Sequence, residues 1–255
     1  MLTGQYIQKI YLNECPGEDS YVSRLPVVKN LIKKGGITLH KNVTFFIGEN
    51  GTGKSTLLEA VAAAYGFNPE GGSRNYSFST FRSHSPLCEN IRLWKGAKSP
   101  SDGYFLRAES FYNVASYIED LDSVPASAPP IKFSYGGRSL HEQSHGESFL
   151  SLVLNRFGGN GLYILDEPEA ALSPSKQFTL LAQMNHLVNK NSQFIIATHS
   201  PILMAFPGAD IFVLGDDDIR LTPYEETEHY VLTKQFLNNP GKILRYLFED
   251  GLWDD

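Results

Sequence analysis

The chain has no run of 18 apolar residues, so no segment reads as a transmembrane helix. Its start, MLTGQYIQKIYLNECPG, does not set a basic stretch before an apolar one, and no signal peptide is expected. Cysteine is scarce: Cys15 and Cys88 are the two present. Neither has metal-ligand spacing, and together they suit a reducing, cytoplasmic setting. Positive charge is in deficit, with 22 Lys and Arg against 28 Asp and Glu and a net charge of −6. That balance argues against binding DNA over the whole surface, while a local basic patch stays open. Internal repeats and heptad runs are missing too. What remains is a globular chain of 255 residues, 42% apolar, long enough to bury a sizeable core.

Strand-like runs open the chain, YIQKIYL (6–12) and VTFFIG (43–48). The loop GENGTGK follows, then a helix through TLLEAVAAAY that Gly66 closes. NYSFSTF, NIRLW and GYFLRA are short strand candidates, and Ser110 is placed to cap a helix through SFYNVASYIEDL. The Pro/Ser/Gly-rich stretch SVPASAPPIKFSYGG (123–137) reads as a mobile loop. A helix over about 146–157 puts Phe149, Leu152, Val153 and Phe157 on one face and stops at GGNG. LYILDE and QFIIAT are buried-strand runs. Between them lies a helix with Ser173 as N-cap and Pro174 as first residue, reaching about Lys190. IFVLG and IRLTPY form a hairpin with Asp216, Asp217 and Asp218 in its solvated turn, followed by helices at about 227–238 and 240–249. Apolar strands separated by helices imply an α/β fold with a largely parallel sheet.

Gly48-Glu49-Asn50-Gly51-Thr52-Gly53-Lys54-Ser55 fits G-x-x-x-x-G-K-[ST] without a substitution. At ordinary residue frequencies a chance match in a chain of this length is on the order of one in a hundred. The strand before it and the helix after it are the context this motif requires. Glycines let the backbone wrap a phosphate with its N–H groups, and the helix end adds a favourable field. Lys54 is expected to reach the β- and γ-phosphates of a nucleotide, Ser55 to ligate Mg²⁺, and Thr56 to approach the α-phosphate.

Asp166 and Glu167 end the apolar run LYIL, where an α/β sheet opens its ligand crevice. Asp166 is expected to hold Mg²⁺, and Glu167 to polarise the attacking water. His199 ends the next buried run, on the sheet edge shared with Lys54 and Asp166, and is expected to contact the γ-phosphate. A serine hydrolase built on Ser148 and His199 is a rival reading, but the G-x-S-x-G elbow is broken by Leu150.

The order GENGTGKS, SHGES, LYILDEPEAALSP, THSP resembles an ABC-type ATPase. The motifs match Walker A (48–55), the signature (144–148), Walker B (162–167), the D-loop (170–173) and the switch histidine, His199. QSHGE stands where the family carries LSGGQ or LSGGE, so Ser144, Gly146 and Glu147 match while Gln143 and His145 depart. The resemblance implies a P-loop NTPase fold of ABC type: a mostly parallel central sheet, an antiparallel β-subdomain and a small helical subdomain. It implies one domain over 1–255, with the helical subdomain at about 110–157. It also implies an ATP-dependent homodimer, in which Ser144, Gly146 and Glu147 of one subunit meet the γ-phosphate held by the other. Where the family places a Gln after the strand GYFLRA, this chain has Glu109, the carboxylate then available to Mg²⁺ or water. The adenine-stacking aromatic stays open among Tyr6, Tyr11 and Tyr21.

FLRAESFYNVA, SHGES and EETEHYVLT look like the soluble ABC-like ATPases near SMC, RecF and OLD-type proteins. The short stretch between Glu109 and Ser144 has no room for an inserted coiled coil, and the segment after His199 none for a nuclease domain. The expected function is Mg²⁺-dependent ATP hydrolysis driving a switch on an unknown protein or nucleic acid, in a DNA-linked or defence-linked setting. The alternative is the ATP-binding subunit of a membrane transporter.

Overall fold

In the computed structural model, which describes residues 4–17, 20–73, 85–107, 111–123, 130, 133, 137 and 144–249, the densest apolar runs become strands buried on both faces. In chain order the elements are β1 (Ile7–Leu12), α1 (Pro26–Lys34), β2 (Ile37–Thr38), β3 (Val43–Ile47), α2 (Lys54–Tyr65) and α3 (Leu87–Asn90). Next come β4 (Ile91–Lys95), β5 (Asp102–Arg107), α4 (Phe111–Ser123), α5 (His145–Arg156), β6 (Gly161–Asp166) and α6 (Pro174–Val188). Then follow β7 (Gln193–Ala197), α7 (Pro201–Met204), β8 (Asp210–Leu214), β9 (Ile219–Leu221), α8 (Glu228–Asn238) and α9 (Pro240–Glu249).

The main sheet has the order β5-β6-β7-β3-β8-β9, parallel throughout except for the final β8–β9 pair. A second, antiparallel sheet has the order β2-β1-β4. Successive side chains of a strand face opposite ways, so each central strand feeds two cores. Phe46, Ile164 and Ile195 join Ile7, Ile10, Leu57 and Leu58 between the main sheet, α2 and the antiparallel sheet. Phe45, Tyr163 and Phe194 join Phe149, Leu152, Leu180 and Met184 beneath α5 and α6. This is the expected fold: a mostly parallel sheet with an antiparallel subdomain.

The expected apolar face of α5 is real, for Phe149, Leu152, Val153 and Phe157 are all buried. α4 adds Ala115 and Ile118 to the same cluster, so these helices pack on the β5–β6 flank of the sheet. Ser173 does precede α6, but its Oγ pairs with Ser175 Oγ at 3.1 Å and makes no cap bond to the helix backbone. The acidic turn is as expected, with Asp218 paired to Lys34 at 3.0 Å. NYSFSTF, Glu109, Ser110, Gln143 and most of the 123–137 stretch lie outside the described residues. Among the described residues no helix is long and apolar enough to cross a membrane.

Candidate active site

Five parallel strands end at one edge, and the loops leaving β3, β6 and β7 meet there. Between β3 and α2 the chain turns through Gly48–Gly53. Gly53 sits at φ 96°, and a Cβ there would lie 2.6 Å from Val27 Cγ1, so glycine is required both for the turn and for α1 to pack against it. Lys54 is the first residue of α2, 5% exposed, and its Nζ donates to Gly48 O at 2.8 Å and Glu49 O at 2.9 Å. Burial draws this ammonium below the ordinary lysine range, against the pull of Glu167, Asp166 and Glu169. Thr52 Oγ1 donates to Glu49 O at 3.0 Å and braces the loop from within. Glu49, Asn50 and Gly51 are exposed at its tip, and Ser55 and Thr56 are half-buried behind it.

Ser55 Oγ donates to Asp166 Oδ1 at 3.1 Å, joining the start of α2 to the end of β6. Asp166 is 6% exposed. Its other oxygen lies 3.6 Å from Arg107 Nε, whose Nη1 bonds Glu59 at 2.8 Å. Arg107 is a site residue that the sequence reading missed; it is the register partner of Asp166 across the β5–β6 pair.

Glu167 adopts φ 50° and ψ 53°, left-handed backbone for a residue with a side chain. That conformation costs about 1–2 kcal/mol, and such costs gather at functional sites. Its N–H donates to Ala197 O at 2.9 Å, which holds the turn while the half-exposed carboxylate leaves the sheet edge. Glu167 Oε1 lies 3.7 Å from His199 Nε2. Glu169, also unforeseen, is half-buried two residues on and accepts the backbone N–H of His199. Burial raises its carboxyl above the ordinary range. His199 Nδ1 meets Nε2 of His229, from α8, at 3.2 Å. Both imidazoles are held below their ordinary pKa by burial, His199 also by Lys54 and His229 also by His199. EETEHYVLT contains His229, but no role for that residue was legible there, because its helix is distant in sequence from the loops it faces. A cavity of about 470 Å³ lies here, lined by Gly48, Glu49, Asn50, His199, Glu228 and His229 among others.

The expected signature residues form a second cluster at the mouth of α5. Ser144 is the N-cap: its Oγ accepts the Glu147 N–H at 3.3 Å, and Glu147 Oε2 accepts from Ser144 N–H at 3.0 Å and from Ser144 Oγ–H at 2.8 Å. A Cβ on Gly146 would lie 2.5 Å from Ala171 O, so only glycine lets α5 pack this closely on the D-loop. Of the three tyrosines, Tyr6 is buried and donates to Asn191 O at 2.9 Å, whereas Tyr21 is 58% exposed.

The residues fit a nucleotide with Mg²⁺. A buried ammonium is wrapped by its own loop, and a hydroxyl–carboxylate pair stands beside it. Among the described residues no group of three or more His, Cys, Asp or Glu side chains is placed to hold a metal ion.

Residues 30–115 match the family described as "AAA domain". Residues 136–205 match the one described as "AAA domain, putative AbiEii toxin, Type IV TA system". A Haemophilus influenzae protein named "Uncharacterized ABC transporter ATP-binding protein" is 26% identical over 230 residues, covering 85% of this chain and 84% of its own. These matches support a P-loop ATPase of the ABC type. The first match holds the phosphate loop of this ATPase and the second holds Asp166, Glu167 and His199. Two solved structures are similar to the ATPase. The cbiO1 part of the cbiONQ ABC transporter complex from Clostridium perfringens is 18% identical, covering 96% of this chain and 99% of that one, with a TM-score of 0.48. The SMC head domain from Thermotoga maritima is 16% identical, covering 86% and 98%, with a TM-score of 0.41.

Proposed function

We propose that the ATPase hydrolyses Mg²⁺-bound ATP in a nucleotide-sandwiched homodimer that acts as a switch on a partner protein or nucleic acid. In this reading Gly48 to Lys54 wrap the phosphates, Thr56 approaches the α-phosphate, Ser55 and Asp166 hold Mg²⁺, Glu167 orients and deprotonates water, and His199 contacts the γ-phosphate. Bound there, Mg²⁺ would supply charge neutralisation for the phosphates. The observation that carries the reading is the convergence of Lys54, the Ser55–Asp166 pair and the Glu167–His199 pair at one sheet edge. Ser144, Gly146 and Glu147 are proposed to complete the neighbouring subunit's site. A cytoplasmic setting, with Cys15 and Cys88 as free thiols, suits this reading. The test is Glu167→Gln: turnover is expected to fall by roughly 10² or more while nucleotide binding is kept. Hydrolysis at the parent rate would remove Glu167 from the role of base.

The name of the Haemophilus influenzae relative favours a second reading, the ATP-binding subunit of a membrane transporter. Co-purification of the tagged ATPase with an integral membrane protein in mild detergent would decide for it. Recovery without one favours the free-standing switch.

A further inference from the structure

The geometry points to His229 as a positioning residue for His199, one that fixes the tautomer in which His199 Nε2 carries the proton. The inference rests on the reading that His199 meets the terminal phosphate. A neutral imidazole has one N–H and one bare nitrogen, and the neighbour of one nitrogen decides the role of the other. His199 Nε2 faces Glu167 Oε1 at 3.7 Å. A carboxylate only accepts, as do the phosphate oxygens expected at the same place, so the proton belongs on Nε2. Nδ1 is then a bare acceptor, and the group set against it is His229 Nε2, 3.2 Å away. His229 must therefore carry its own proton on Nε2 and donate it. The opposite arrangement would turn the lone pair of His199 Nε2 toward Glu167.

The rest of His199 is already fixed, which leaves ring orientation and tautomer as the remaining freedoms. Glu169 holds its backbone N–H, and Ser200 caps α7 immediately after it by accepting the N–H groups of Ile202 and Leu203. His229 is anchored just as firmly. Thr227 caps α8 and donates to Tyr224 O at 2.7 Å, and Tyr224 Oη donates to Pro201 O at 2.9 Å. The second imidazole is thus tied to the turn that carries the first. Among the described residues His229 Nδ1 is buried without a hydrogen-bond partner, as suits the bare nitrogen of the Nε2–H form. The charged groups bearing on the pair are Lys54 from α2, Glu167 and Glu169 from the turn after β6, and Glu228 from α8.

The experiment combines spectroscopy on the unaltered chain with two variants. In the full-length protein labelled with ¹⁵N-histidine, the long-range ¹H–¹⁵N pattern of His199 is assigned by its loss in His199→Asn. It should show protonated Nε2 and bare Nδ1; a proton on Nδ1 overturns the inference. His229→Gln places an amide N–H about where imidazole Nε2 lies, whereas His229→Leu keeps bulk without a donor. At saturating ATP, His229→Leu should lose about tenfold or more in kcat, with its affinity for ADP, which lacks the γ-phosphate, unchanged. His229→Gln should recover at least about half of the parent kcat, where a purely structural role would give no such rescue. Equal rates for both variants, or a parent rate in His229→Leu, overturn the inference. A parent protein that binds nucleotide without hydrolysing it would instead sink the ATPase reading. The tautomer of His199 would still be readable there.

Discussion

Two helix mouths in this molecule are built on opposite plans. α2 begins at Gly53, with no side-chain cap and no acidic residue in its first turn, and its first residue is Lys54. α5 begins at Ser144 with a complete capping box, and Glu147 places a carboxylate on the N–H groups. Free N–H groups and the helix dipole both attract an anion. The first mouth leaves that attraction to a ligand, while the second satisfies it internally. If α5 also meets a phosphate, from a partner subunit, Glu147 has to release its bonds to Ser144 as the phosphate arrives.

The largest effect that would sharpen this contrast is expected from single variants at each mouth. Lys54→Ala should weaken binding of a fluorescent ATP analogue and lower turnover by roughly 10² or more. Ser144→Arg should lower turnover comparably while the isolated chain binds the analogue as before. Loss of monomer binding in Ser144→Arg would place both mouths at one site within a single chain.

A smaller effect is expected from Glu147→Gln. The amide oxygen can still accept from Ser144 N–H, so the cap survives, and losing the charge at the helix dipole costs about 0.3–1 kcal/mol of stability. Removing that charge from the path of an incoming phosphate should tighten ATP-driven association a few-fold by light scattering, as expected from a term of that size. Weaker association would show that Glu147 helps as a carboxylate.

The smallest effect concerns pH. His199 and His229 are held below the ordinary histidine pKa, so they stay neutral in the folded chain under conditions where the unfolded chain is protonated. The unfolded state then binds more protons. Their contribution is fully present above the ordinary value of about 6.5 and is lost as pH falls from there toward their folded pKa values. The melting temperature should fall by about 2 °C between pH 7.5 and 5.5 from this source, and less in His199→Asn. Glu169 acts in the opposite sense, for its raised carboxyl favours the folded state as pH falls, so the histidine effect is best read as the difference between parent and variant.

The parts of the site legible in the sequence were those fixed by local chemistry. The phosphate loop is contiguous, and its glycine spacing carries its own backbone requirement. Asp166 and His199 were legible because an apolar strand leads into each and parallel strands share an edge. Arg107, Glu169 and His229 were not. Arg107 reaches Asp166 through strand register, which no spacing in the sequence encodes. Glu169 acts on a backbone N–H thirty residues away. His229 arrives on α8, whose placement depends on the Tyr224 and Thr227 contacts after the final hairpin. The left-handed backbone of Glu167 was hidden for the same reason, since it is imposed by the turn into Pro168–Ala171 and the bond to Ala197 O. At α5 the family resemblance implied that Ser144, Gly146 and Glu147 meet a phosphate, while the structure shows Ser144 and Glu147 capping their own helix.

Whether the second mouth serves another subunit's nucleotide is tested most directly by mixing Lys54→Ala with Ser144→Arg, each inactive alone. In a mixed dimer one site joins both lesions, and the other joins an intact phosphate loop to an intact α5 mouth. With random pairing half the dimers are mixed, so about a quarter of parent activity should return if the two sites work independently. ATP-driven dimerisation of Glu167→Gln, followed by light scattering, covers the case in which strict coupling between sites hides that recovery. A dead mixture together with a Glu167→Gln chain that stays monomeric in ATP would contradict the composite site and leave α5 with a cap and nothing more.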